Sequence, residues 1–167
     1  VSSHNIEHSP DLIVFLQNLS GVLSKNGLIF LIIPDKRYCF DHFRPHTTLQ
    51  EVIYANLKRH NKPSFYSILE SELLCTHNDA VKHWAGEHGQ PFIDLDKNKW
   101  GEELTDIENK INSIENVYTD THVWKFTPDN FSMIVDYLYM NRIIDLKVLR
   151  IYPTVLDQIE FYAIMGR

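Results

Sequence analysis

Glycine is scarce in this chain, and its spacing is as telling as its number. There are 6 glycines, and no two are separated by a single residue. A G-x-G turn is therefore absent, and with it the loop that cradles a nucleotide after the first strand of an α/β unit. Cysteine is scarce too. Cys39 and Cys75 are the only 2, without the spacing of a metal-ligand or redox motif. They read as reduced thiols, and a cytoplasmic protein is expected. No apolar run is long enough to span a bilayer, and no secretory leader is visible, so no membrane partner is expected. Basic residues are outnumbered, 16 Lys and Arg against 22 Asp and Glu, for a formal net charge of −6. That balance disfavours nonspecific nucleic-acid binding as the main role. Position 1 is Val, not Met, and residues 1–3 read as the tail of a strand. A fragment is the expectation.

What is present is helix and strand in alternation. Ser9 suits an N-cap, Pro10 a first helical turn, and Asp11 the positive end of the helix dipole. Leu12, Phe15, Leu16, Leu19, Val22 and Leu23 recur at helical spacing, and Asn26-Gly27 offers a left-handed C-terminal cap. Leu28 to Ile33 is continuously apolar, as for a parallel strand covered on both faces. Strand tail, helix and strand make one βαβ crossover. A charged, aromatic loop follows over residues 35–46. Thr48 and Glu51 form a capping box for a helix carrying Val52, Ile53 and Leu57, and Asn61-Lys62-Pro63 breaks it. Residues 64–88 read as short helices holding His77, His83, Trp84 and His88. Residues 99–117 form a charged helical pattern with Trp100, Leu104, Ile107, Ile111 and Ile114 inward.

Thr127-Pro128-Asp129 caps the next helix, with Phe131, Ile134, Val135 and Leu138 at helical spacing. Residues 143–152 and 159–165 read as strands joined by a short turn, hence antiparallel. The expected fold is α/β with an antiparallel edge. It is one domain of 167 residues in three parts: 1–34, a helical insertion over 35–125, and 126–167.

Several side chains could carry chemistry. His4-x-x-Glu7-His8 matches the H-x-x-E-H pattern of inverted zincins. It precedes the helix rather than lying within one, which argues against zinc hydrolysis. A locally helical turn would still put His4, Glu7 and His8 on one face as metal ligands. The alternative is that Glu7 and His8 bond loop backbone and shape a pocket. Asp35, Arg37, Tyr38, Asp41 and Arg44 could bind an anionic or hydroxyl-rich acceptor, Arg through its fork and Tyr by stacking. The alternative there is a structural Arg–Asp pair. His8, His42 and His122 are the candidate general bases.

Three segments carry a family resemblance. Ser2 to Asp11 resembles the segment after the fourth strand of class I S-adenosylmethionine (SAM)-dependent methyltransferases, with its hydrophobic-x-x-Glu-His-x-x-Asp pattern. Val22-Leu23-Ser24-Lys25-Asn26-Gly27-Leu28 resembles their Val-Leu-Lys-Pro-Gly-Gly turn. Asp35 to Tyr38, Asp41 to Pro45, Phe126-Thr127-Pro128 and Glu160-Phe161 look like a bacterial subfamily linked to glycan modification. The resemblance implies the C-terminal half of a Rossmann-like sheet, closed by a helix and an antiparallel strand pair. It implies SAM as cofactor, with Ser2, Ser3 and His4 on the cofactor side. It places His8 and residues 35–44 toward a small-molecule or glycan acceptor. Some such enzymes hold Mg²⁺ through Glu-x-x-Glu-His at this place. Here His4 stands at the first Glu position, which shifts preference toward Zn²⁺, Mn²⁺ or Fe²⁺. With the SAM loop missing, the half alone is expected to be inactive. A homodimer through its exposed sheet edge is expected. The rival reading is a non-catalytic interaction domain with the same fold.

Overall fold

The computed structural model describes residues 1–91, 101, 105, 106, 109 and 118–167. Its chain is α/β, with a four-stranded mixed open sheet in the order β1-β2-β4-β3. The strands are β1 (Ser2–Ser3), β2 (Ile29–Pro34), β3 (Lys147–Tyr152) and β4 (Glu160–Gly166). Among the described residues the helices are α1 (Leu12–Gly21), α2 (Leu49–Leu57), α3 (Phe65–Leu74), α4 (Ala80–Trp84) and α5 (Pro128–Met140). The inward set expected at Trp100, Leu104, Ile107, Ile111 and Ile114 lies outside the described residues.

β1 runs parallel to β2, pairing Ser2 with Leu31 and Ser3 with Ile32. A short 3₁₀ turn (Ile6–His8) and α1 make the crossover between them. β4 is antiparallel to both β2 and β3, and so sits between them. The last two strands are thus an antiparallel pair, as their short connection requires, and the final one is inserted one place inward.

The period of two along β2 and β4 decides what is covered. Ile29, Leu31 and Ile33 of β2, with Phe161, Ala163 and Met165 of β4, are buried against Leu12, Leu16, Phe131, Ile134 and Leu138 of the helices. Each fully buried side chain of this size contributes about 1.5–3 kcal/mol. The opposite face is not covered as expected. Phe30 is 44% exposed and Tyr162 40%. An unbroken apolar run says that both faces avoid water, not which element covers them.

Two helix ends differ from expectation. Asp11, not Ser9, caps α1, its carboxylate accepting from the Val14 amide at 3.1 Å. Pro10 forces extended backbone on Ser9, and Ser9 instead closes the 3₁₀ turn. The same Asp11 carboxylate accepts from the Asn56 amide at 3.0 Å, which ties α1 to α2. α1 stops at Gly21, because Ser20-Gly21 is a poor helix continuation. Gly27 is not a left-handed cap. A Cβ there would lie 2.7 Å from Leu23 Cδ1 and 2.9 Å from Ser24 Oγ, side-chain ends that would have to turn aside. The capping box at Thr48–Glu51 forms as read, and Thr127 caps α5 with Pro128 in its first turn.

Candidate functional site

The site lies where the chain leaves the carboxyl ends of β1 and β2, the place where open α/β sheets receive ligands. After Ser3, His4 takes a left-handed backbone, φ 46°. That reversal starts the 3₁₀ turn, and Ile6, 1% exposed, anchors it in the core. The turn is stapled to residues 122–124. Val123 and Trp124 amides donate to the Glu7 carbonyl at 2.7 and 3.2 Å, and the Trp124 indole donates to the Ser9 carbonyl at 2.6 Å. His122 is thereby brought edge-on to His8, ring centres 4.7 Å apart.

Glu7 sits at the centre. It is 1% exposed, and neither carboxylate oxygen has a hydrogen-bond partner among the described residues. Three imidazoles surround its Oε1. His8 Nε2 stands 3.9 Å away, His122 Nε2 4.0 Å and His4 Nδ1 3.6 Å. The other nitrogens are spoken for. His8 Nδ1 meets Asp120 Oδ1 at 2.9 Å, and His122 Nδ1 meets Asp41 Oδ2 at 2.6 Å. A carboxylate only accepts, so both histidines carry hydrogen on Nδ1, which leaves Nε2, the nitrogen that faces Glu7, as the one able to ligate an ion. His4 Nε2 is held by Glu160 at 3.1 Å.

These groups could hold a divalent ion. Glu7, His8 and His122 offer ligand atoms all within 4.8 Å of one another. Bonds of about 2.0–2.2 Å to N and O put neighbouring ligand atoms about 3–4 Å apart, so an ion bound here would draw these groups slightly closer together. The carboxylate behind each histidine is the arrangement that fixes the tautomer of metal-bound imidazole. His122, read from the sequence as a base, joins Glu7 and His8 here. His4 lies beside them with Glu160.

Behind His122 lies a buried charge network. Burial alone would raise the Asp41 carboxyl, but bonding to His122 and the charge of Arg44 outweigh it and hold it below the ordinary range. Arg44, 1% exposed, donates to Asp41 at 2.7 Å, to the His122 carbonyl at 2.7 Å and to the Ser67 carbonyl at 3.2 Å. Glu70 of α3 stands 3.4 Å from Arg44 and 2.8 Å from Lys125. Asp41 and Arg44, expected to meet an acceptor, are therefore buried supports of the site. Asp35 is also buried, held by Arg37 at 2.6 Å and Thr154 at 2.7 Å. That bond to Asp35 raises the Arg37 pKa. Arg37 and Tyr38 remain nearer the surface, Tyr38 stacked on Trp84 at 3.9 Å. Ser2 and Ser3 lie on the edge strand. His42 belongs to a separate cluster with His83 and His88.

The sequence reading missed Asp120, Glu70, Lys125 and Glu160. Asp120-x-His122 was the one local signal. Comparison with protein-family models, with curated proteins and with solved structures finds no match.

Proposed function

We propose that this chain is the acceptor-side, C-terminal part of a class I SAM-dependent methyltransferase, acting on an oxygen or nitrogen nucleophile of a small or glycan-related acceptor. The observation that carries the reading is the sheet. A parallel β1–helix–β2 unit is followed by a terminal antiparallel strand inserted beside β2, the closing pattern that the resemblance implies. The Glu7 cluster supports it by lying at the carboxyl ends of β1 and β2.

A divalent ion fits the chemistry of this site, on the evidence of the Glu7 carboxylate, unpartnered among the described residues, and the two imidazole Nε2 atoms that face it. Glu7, His8 and His122 would hold it, and it would supply Lewis-acid polarisation of an acceptor hydroxyl. Without an ion, the Nε2 lone pairs of His8 and His122 suit the general-base role. Asp41 and Asp120 hold those rings in the required tautomer in either case. The described residues do not build a cradle for SAM. No G-x-G occurs in the sequence, and His4 is committed to Glu160. The chain's own share of the chemistry is to bind and orient the acceptor.

Two measurements test the reading. Residues 1–167 alone should bind SAM weakly or not at all by isothermal titration, and low-micromolar affinity would contradict the division of labour. The open reading frame should encode a strand, Gly-rich loop and helix ahead of Val1. The longer protein should then pass label from methyl-tritiated SAM to hydroxyl acceptors. A reading frame without that unit leaves the interaction-domain reading instead.

A further inference from the structure

We infer that the chain has a second metal site, a three-histidine Zn²⁺ centre formed by His42, His83 and His88. The inference stands apart from the methyltransferase reading. The three residues come from three places: the loop after β2, helix α4, and the loop that follows α4.

The local backbone is shaped to bring them together. Gly86 ends α4 with φ 83°, and Gly89 has φ 69°. A Cβ on Gly89 would lie 2.9 Å from both His77 Cδ2 and Thr76 Oγ1. Thr76 Oγ1 donates to the His88 carbonyl at 2.8 Å. Two left-handed glycines and this bond fold the 86–89 loop back, so that His88 meets His83. From the other side, the Lys36 ammonium holds the His42 carbonyl at 2.8 Å.

Hydrogen bonding then fixes the tautomers. His42 Nδ1 faces the Arg37 carbonyl at 2.8 Å, and His83 Nε2 faces the His77 carbonyl at 3.0 Å. A carbonyl only accepts, so each of these nitrogens carries hydrogen and the opposite nitrogen bears the lone pair. The free nitrogens are His42 Nε2 and His83 Nδ1. His83 Nδ1 points at His88 Nδ1, 3.1 Å away. In the metal-free protein His88 fills that gap with a proton, and an ion would replace it. Backbone carbonyls behind ligand imidazoles are the usual orienting partners of metal-bound histidine. His77 is not a ligand, since its nitrogens engage the Glu87 carbonyl and the Asp79 amide.

The donor set selects the ion. Three neutral imidazoles without a carboxylate suit Zn²⁺ and its neighbours and disfavour Mg²⁺ or Ca²⁺. The candidate ligand atoms lie within 4.8 Å of one another, against about 3.3 Å between nitrogens on one tetrahedral ion. Closing on the ion requires the His42 and His88 rings to leave their stack, now 3.7 Å between centres and 13° apart. Three protein ligands leave the fourth position to water or another small donor.

The test uses Zn²⁺ and Co²⁺ on the whole chain in a Glu7→Gln background, which disables the first cluster. Equilibrium dialysis should find one Zn²⁺ per chain, and Co²⁺ should give the visible absorption of a four-coordinate centre. His88→Gln and His42→Gln should each weaken Zn²⁺ by more than about 100-fold, since loss even of an outer-shell partner costs 10–100-fold. His83, being buried, is left in place so that folding is not at issue, and circular dichroism checks each variant. Azide should shift the Co²⁺ bands if the fourth position is open. Zn²⁺ binding that ignores both substitutions, or no binding tighter than millimolar, would overturn the inference.

Discussion

Replacing Glu7 by Gln should change the stability of this protein in opposite directions with and without metal. Glu7 is 1% exposed, and both its carboxylate oxygens lack hydrogen-bond partners among the described residues. A buried unsatisfied polar group costs about 1–3 kcal/mol, and a charged one more. In chelator-treated protein, Gln removes that charge and keeps the shape. The variant should therefore be more stable by about 1–3 kcal/mol, or about 2–12 °C in Tm for a domain of this size. Metal reverses the order. An ion at 100 times its Kd stabilises the wild type by about 2.7 kcal/mol, which is about 5–11 °C. Neutral Gln is a poor ligand and should lose most of that gain from the first cluster. Differential scanning calorimetry with Mn²⁺, in EDTA and after readdition, measures both effects. Mn²⁺ favours the carboxylate-containing cluster over three bare imidazoles. The reasoning fails if Glu7→Gln is less stable in EDTA, or if its Mn²⁺ shift equals that of the wild type.

Arg44→Met should destabilise the fold by about 3–5 kcal/mol, because it removes the guanidinium that Asp41 and Glu70 share in the interior and leaves them only His122 and Lys125. Urea melts measure it, and a loss below about 1 kcal/mol would show the network to be dispensable. Stability should also fall with acid in two stages. His42, His46 and His83 have pKa values lowered first by burial, so the unfolded chain takes up protons first. Their contribution is full above pH 6.5 and declines as pH drops through 6.5 toward the folded values. Asp41 is held below its ordinary 3.8, so its contribution persists above that pH and is lost as pH falls further. A urea midpoint unchanged between pH 7.5 and 5.5 would contradict the first stage. Finally, the open face with Phe30 and Tyr162 should pair with a second copy, and Phe30→Lys should weaken that association. Light scattering that shows a monomer into the high-micromolar range would exclude it.

The fold was legible where local chemistry is decisive. Thr48 with Glu51, and Thr127 with Asn130, cap their helices by contacts three residues apart. The alternation of Phe161, Ala163 and Met165 set the buried face of the last strand. Legibility failed where the cause was distant or steric. Asp11 displaced Ser9 as cap, and its second partner, Asn56, is 45 residues away. Gly27 looks conformational, but its φ is not positive, and a Cβ there would crowd the Leu23 side chain. At the site, Glu7 and His8 were legible because the 3₁₀ turn is local. The place of His122 beside them was not, since it depends on backbone bonds from Val123 and Trp124 to the Glu7 carbonyl.

The loop over residues 35–46 links these findings physically. The sequence reads it as an acceptor surface because it follows the carboxyl end of a strand and combines Arg forks with aromatic faces. In the fold, Asp41 orients His122 of one cluster, while the adjacent His42 is part of the other. Arg44 fastens the same loop to α3 and to the His122 segment through buried bonds. A loop tied down in this way cannot act as a mobile lid without breaking several buried charged contacts, each worth more than an exposed one. Its role is then to hold two sets of imidazoles at fixed tautomer and orientation. A substitution at Asp41 should accordingly disturb His122 directly and His42 through the backbone. One at Arg37, which is 46% exposed and bonded chiefly to Asp35, should leave both clusters in place.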